Sequence, residues 1–213
     1  MTINIIALDG VAGAGKTTIA KKLSKKLSTR VLFSGQLYRA VAYEVIVQKI
    51  APTNMKKIIK IAKSLDMSIY KEKMLYSEQI DLISSKISSN ISLRKALIHL
   101  QRNFPKIQKK TLKWVIVEGR DIGTVIFPKA KYKFFMFASP EIRAKRRLKQ
   151  VKKSSKKANF NYILKQIKAR DMRDMTRNVA PGLPAADCHL IDNTNYDIPQ
   201  TFNTILKIIR AKK

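Results

Sequence analysis

Residues 10–17 read Gly-Val-Ala-Gly-Ala-Gly-Lys-Thr, and they stand between an apolar run at 3–8 and a helix-forming segment at 18–27. No other feature limits the possible folds so strongly. A buried strand that ends in a glycine-rich turn and feeds a helix aims successive backbone N–H groups, and the positive end of the helix, at one point. That is a phosphate-binding arrangement. Gly10, Gly13 and Gly15 permit φ > 0 there, and Val11, Ala12 and Ala14 supply the amides between them. Lys16 is long enough to reach the outer phosphates of a nucleotide as a mobile point charge. The Thr17 hydroxyl is placed to hold a magnesium ion, with Thr18 offering a second hydroxyl beside it.

The flanks extend the constraint. Residues 3–8 form a near-continuous apolar strand of the kind buried on both faces of a parallel sheet. In the helix at 17–27, Ile19, Ala20, Leu23 and Leu27 share one face and lysines the other, and residues 30–33 make a second short strand. Strand, helix and strand in so short a span predict a right-handed βαβ unit. Further core strands are expected at 114–117, 133–138 and 188–191, with a helix opened by Ser139 as N-cap and Pro140 at its first turn. Residues 52–103 lack the buried-strand signature. They alternate lysine-rich helix (55–65), a strand-like piece (67–70) and more helix (77–89 and 93–104), and they read as an insertion.

Length and composition narrow the class. A chain of 213 residues, 45% hydrophobic and 27% charged, suits one sizeable core with a smaller insertion. No apolar run approaches the roughly twenty residues needed to span a bilayer, and no secretory leader is visible, so a cytoplasmic protein with no membrane partner is expected. One cysteine, Cys188, excludes an internal disulfide, and His99 and His189 lack metal-ligand spacing. The formal charge of +30 favours anionic partners, but the lysines are dispersed rather than gathered in a stripe. A basic nucleic-acid-binding ATPase is therefore the rival expectation from another class.

Three charged clusters stand beyond the loop. Arg39 follows a strand-to-helix turn, Arg120-Asp121 ends a core strand, and Arg170, Asp174 and Arg177 recur at helical spacing. Alone, the last set also fits an exposed salt-bridge ladder. Together with a donor loop they match the needs of phosphoryl transfer, where Lys, Arg and Mg²⁺ neutralise charge spread over the moving group. So many arginines outside the loop suggest a second, phosphate-bearing substrate.

Five blocks carry a resemblance across nearly the whole chain: the loop at 10–18, Ser34-Gly35-Gln36-Leu37-Tyr38-Arg39, Glu118-Gly119-Arg120-Asp121-Ile122-Gly123-Thr124-Val125, Arg170-Asp171-Met172-Arg173-Asp174, and residues 180–187. The sequence resembles bacterial cytidylate kinases. The resemblance implies an α/β three-layer P-loop kinase fold with a central parallel sheet. The core would be 1–37 and 106–213, the inserted NMP-binding domain 38–105, and a short lid about 150–161. It implies transfer of the ATP γ-phosphate to CMP or dCMP by a monomer using Mg²⁺. By motif position, Ser34 and Arg39 lie by the acceptor, and Arg120 and Arg177 bind its phosphate. Asp121, Ser85 and Arg94 read the cytosine, and Arg170 and Asp174 contact the sugar. Lys16, Arg120 and Arg177 would be the catalytic cations. The family usually has Asp before the Ser-Gly pair, and here Phe33 stands in its place. Another small acceptor, such as UMP or shikimate, is the remaining alternative within kinases.

Overall fold

A computed structural model describes residues 3–108, 112–151 and 159–211. Five parallel strands form the centre: β1 (Asn4–Gly10), β2 (Arg30–Phe33), β3 (Trp114–Glu118), β4 (Tyr132–Phe137) and β5 (His189–Asp192), in the order β2-β3-β1-β4-β5. The phosphate loop leaves the central strand, and the order reverses on its two sides. Open α/β sheets bind ligands at the carboxyl edge of such a switch point.

Period-two alternation sends neighbouring β1 residues to opposite faces. Ile6 and Leu8 enter a core with Ile19, Ala20 and Leu23 of α1 (Lys16–Lys26) and Ile205 and Ile209 of α8 (Ile198–Ala211). Ala7 enters the opposite core with Val115, Val117, Ile122 and Ile126, against which Ile98 and Phe104 pack. The result is three layers, with α1 and α8 on one side of the sheet.

Between β2 and β3 come α2 (Ser34–Val47), α3 (Met55–Lys63), α4 (Glu78–Ile87) and α5 (Ile91–Gln108). They share a separate apolar cluster that includes Leu37, Val41, Ile58, Ile80, Ile87, Leu93 and Leu97. The strand-like reading of 67–70 is corrected: Met67–Ile69 is a 3₁₀ turn opened by Asp66, whose side chain accepts from Ser68 N at 2.9 Å. With no neighbouring strand among the described residues to pair with, this short run satisfies its backbone locally. Helix α5 also continues through Pro105 to Gln108, beyond the expected end.

After β4, α6 (Pro140–Val151) and α7 (Phe160–Thr176) pack against each other through Ala144, Ile163 and Ile167. Residues 152–158, most of the expected lid, lie outside the described residues. Helix α7 stops one residue before Arg177, which is extended at φ −63°, ψ 137°. The helical continuation expected for Arg177 is thus corrected, and its guanidinium turns back to donate from Nε to Ala180 O at 2.6 Å.

Candidate active site

At the carboxyl edge of β1, Gly10 has φ +143°, and an added Cβ would lie 1.9 Å from the Met136 carbonyl oxygen of β4. Only glycine lets the loop leave the sheet so close to its neighbour. The loop is then pinned by its carbonyls. Ala12 O accepts from Arg143 Nη1 at 3.0 Å and Ala14 O from Asn193 Nδ2 at 2.7 Å. Gly10 O accepts from Lys16 Nζ at 2.9 Å and from Arg120 Nη1, and Val11 O accepts from Lys16 Nζ at 2.8 Å. With these carbonyls engaged, the polar groups the loop has to offer an anion are amide N–H groups at the start of α1.

Lys16 is buried and lies 3.8 Å from Glu118 Oε1. Burial, and next the charge of Arg120, push its pKa down to about 7. An ammonium so poorly neutralised attracts an anion, which phosphates would supply. Beneath the loop lies Asp9, a residue that the motif reading did not single out. Its carboxylate accepts from Ile122 N at 2.9 Å and Gly123 N at 2.7 Å, which fixes the turn carrying Arg120 and Asp121 to the base of the loop. Burial outweighs those two bonds and raises the Asp9 pKa to about 7. A lone carboxylate inside an otherwise apolar strand was the available signal, since buried charge is costly unless it does something.

The arginines come from separate elements and meet at this edge. Arg120 joins the loop to α7: besides Gly10 O it donates from Nε to Asp174 Oδ2 at 3.1 Å. Arg170 Nε lies 3.9 Å and Arg177 Nη1 3.9 Å from the same Asp174 carboxylate. Burial works against ionising Asp174, yet Arg120 and then Arg170 overcome it and hold its pKa below the usual value. Arg177 Nη2 also stands 4.0 Å from Asp121 Oδ1, and Asp121 pairs closely with Arg94, which donates from Nη1 to Ser88 O at 2.9 Å. Arg170, Asp174 and Arg177 therefore do sit together, but with their side chains largely buried rather than as the exposed ladder their spacing also allowed.

The other expected positions fall around this cluster. Ser34 is buried beneath the turn, where a Cβ on Gly119 would lie 2.5 Å from its Oγ. Ser85 accepts from Arg173 Nε at 3.2 Å, and Arg39 pairs with Asp81 and stacks on Tyr76, 4.6 Å from its ring centre. Thr17 is half-buried and Thr18 exposed on the first turn of α1. Phe33, opposite Glu118 in the sheet, packs against the core with Lys21 Nζ 5.8 Å above its ring.

Two features fit bound phosphate. Arg170 Nε and Arg177 Nη2 are buried without a hydrogen-bond partner among the described residues, although they lie near carboxylates. Orphaned cationic N–H groups are costly in a closed protein and are relieved by a ligand's oxygens. For a metal, the edge offers the Thr17 hydroxyl and the Glu118 carboxylate, hard oxygen donors of the kind Mg²⁺ prefers. Among the described residues no three His, Cys, Asp or Glu side chains form a metal cage, and a cation carried on nucleotide phosphates does not require one.

Comparison with known proteins points the same way. The family model described as cytidylate kinase matches residues 6–211. The cytidylate kinase of Clostridium tetani is 37% identical over 212 residues, covering 97% of this chain and 94% of that protein. The one from Bartonella tribocorum is 38% identical over 198 residues, 93% and 90% of the two chains. Among solved structures, TT1252 from Thermus thermophilus superposes with a TM-score of 0.52 at 16% identity, covering 100% of this chain and 98% of that one. That last likeness concerns the fold alone.

Proposed function

The chain belongs to the cytidylate kinase family, and from that premise we propose that it moves the γ-phosphoryl group of ATP to CMP or dCMP, giving ADP and CDP or dCDP. It is a phosphotransferase of the nucleoside monophosphate kinase class. The observation that carries the reading is the convergence of Lys16 and Arg120 on one carbonyl, Gly10 O, where the donor loop meets the arginine cluster.

The residues divide the work accordingly. Amides of residues 10–18 cradle the ATP phosphates. Lys16 leaves the Gly10 and Val11 carbonyls for the β- and γ-phosphate oxygens, whose charge restores its own. Arg39, Arg120 and Arg177 hold the acceptor phosphate, and Arg170 and Asp174 the sugar. An acceptor phosphate has a second pKa of about 6, so at neutral pH its oxygen is already ionised and no general base is needed. That oxygen forms the new bond to Pγ, the bond from Pγ to the bridging oxygen breaks, and ADP takes the electron pair. Lys16, Arg120 and Arg177 stabilise the charge spread over the group in flight. Thr17, with Thr18 beside it, would hold Mg²⁺, which supplies further neutralisation of the phosphates when bound.

Asp121 faces the cytosine amino group, supported by Arg94, while Ser85 completes the base edge. A uracil there would leave Asp121 without its donor, and a site built on hydrogen bonds rejects such an analogue far better than one built on apolar contact. In this reading residues 38–105 are the inserted acceptor-binding domain and 150–161 the lid of a cytoplasmic monomer that uses Mg-ATP. ADP release with CMP, dCMP, UMP and AMP offered in turn is the test. Turnover confined to the cytidine nucleotides is expected. Equal rates on all four, or none with CMP, would overturn the assignment.

A further inference from the structure

Helix α4 is joined to α6 and α7 by long side chains. Glu78, Asp81 and Ser85 recur at helical spacing on it, and each meets a side chain from the other side. Glu78 accepts from Tyr162 OH at 2.6 Å, and Ser85 from Arg173 Nε at 3.2 Å. At the middle, the Asp81 carboxylate is shared by three arginines from three elements. Arg39 of α2 pairs closely with Oδ1, Arg170 Nη1 of α7 lies 3.3 Å from the same oxygen, and Arg147 Nη2 of α6 lies 3.5 Å from Oδ2. Nothing in the proposed transfer uses Asp81. It nevertheless occupies two arginines, Arg39 and Arg170, that the proposed function assigns to the acceptor.

We infer that Asp81 is an internal stand-in for the acceptor's phosphate: its carboxylate holds Arg39, with Arg147 and Arg170 beside it, while the site is empty, and gives Arg39 up to the phosphate when the nucleotide enters. This rests on the acceptor assignment made above.

Charge and geometry both support the exchange. The cluster contains Arg39, Arg94, Arg120, Arg147, Arg170 and Arg177 against Asp81, Asp121 and Asp174. Six cations against three carboxylates leave an excess of three positive charges before any ligand binds. At Arg170, burial, and next the charge of Arg120, lower the pKa, and its buried Nε has no hydrogen-bond partner among the described residues. A phosphate dianion brings two charges and three oxygens where Asp81 offers one charge and two oxygens, so it is the stronger ligand for a fork of guanidiniums.

Release of Asp81 also costs little. The residue is partly open to solvent, with 23% of its side chain exposed. It lies in the first turn of α4, whose N-terminus is capped by Ser77, so the freed carboxylate stays near the positive end of a helix dipole. Arg39 keeps two anchors without it: Nη1 donates to Leu75 O at 2.9 Å, and the Tyr76 ring remains beneath it. The arginine therefore stays oriented as its partner changes.

The consequence is a selective one. A nucleoside without phosphate cannot replace Asp81 and must bind beside a site that is still self-paired. Only a ligand carrying the dianion can take Arg39 from Asp81, and its affinity is reduced by the pair it must break. Partly exposed ion pairs are weak and few are broken, so the reduction is about three- to ten-fold in affinity.

The test is calorimetric titration of CMP and of cytidine into the full chain and into Asp81→Asn and Asp81→Ala, with ATP binding as the check on folding. Asp81→Asn keeps the shape and removes the charge. CMP is expected to bind both variants about three- to ten-fold more tightly than the parent, with cytidine unchanged. Weaker or unchanged CMP binding would make Asp81 a support for the arginines rather than a stand-in and overturn the inference. Equal tightening of cytidine would assign the effect to an opened cleft and overturn it too. Loss of ATP binding in both variants would mark Asp81 as a structural tie and overturn the inference as well. If the parent chain binds no CMP at all, it is the acceptor assignment that falls.

Discussion

In the function proposed for them, the donor loop and the acceptor cluster would hold phosphates by different means. Around residues 10–17 the grip is backbone: amides at a helix N-terminus, a glycine pressed against Met136, and carbonyls tied by Arg143 and Asn193. Around Asp81, Asp121 and Asp174 the grip is side chain: guanidiniums from α2, α5, α6, α7 and the turn after β3, each already paired with a carboxylate. A backbone cradle is local and needs few tertiary contacts to stay formed. An ion-pair cluster exists only when distant elements meet, and it can change partners. One half of such a site therefore suits a phosphate chain common to many enzymes, while the proposed function leaves selectivity to the other half.

Removing the one mobile charge of the loop should do the most damage. Lys16→Ala is expected to lower kcat about 10²–10³-fold or more while the fold survives, because it deletes a charge acting on the transition state. A coupled ADP-release assay reads this, and a loss under about tenfold would show that the backbone cradle suffices alone.

On the acceptor side, Asp121→Ala removes the close partner of buried Arg94. Leaving that charge uncompensated should cost about 3–5 kcal/mol of stability. The variant's KM for CMP should rise well above any change in KM for ATP. Urea unfolding and the two KM values check both halves, and a parallel rise for ATP would erase the proposed division between the regions.

Asp9 sits where the regions join, and its titration runs against the usual carboxylate pattern. With a folded pKa of about 7 against 3.8 for the free group, the folded chain keeps a proton that the unfolded chain loses across pH 4–7. Its contribution to stability is therefore fully present below about pH 4 and falls as pH rises through 7, by on the order of 4 kcal/mol for about three pKa units. The slope of Tm against pH between 4 and 7 should become more positive in Asp9→Asn, because this one opposing contribution is gone. An unchanged slope would show that Asp9 is ionised throughout.

The smallest effect should come from the surface tie between the regions. Lys21 of α1 donates to Glu72 at 2.8 Å, but both side chains are about half exposed, at 48% and 55%. Lys21→Ala is expected to change stability by about 0–1 kcal/mol and the KM for CMP by less than about twofold. A larger KM change would mean that this pair helps hold the acceptor region against the core.

Much of this is legible in the chain for reasons that are local. The strand, loop and first helix can be read because φ > 0 at Gly10, the near-continuous apolar run of β1 and the lysine after the glycines are properties of neighbouring residues. The 3₁₀ turn at Met67–Ile69 misleads for the matching reason: a short apolar run looks like a strand until it is known that none of the described strands lies beside it. Arg177 looks helical because spacing alone cannot show that α7 ends at Thr176 and that the arginine turns back to Ala180.

The order of residues along the chain set the inventory of reactive parts: a phosphate loop, its lysine and hydroxyl, and a supply of arginines in excess of what a donor site uses. How those parts are coupled came from the folded arrangement alone. It placed Asp9 under the turn of Arg120 and Asp121, brought Lys16 and Arg120 to one carbonyl, and gathered Arg39, Arg147 and Arg170 around Asp81. Backbone conformation depends on adjacent residues, whereas the strength of a charge depends on burial and on neighbours that arrive from elsewhere in the chain.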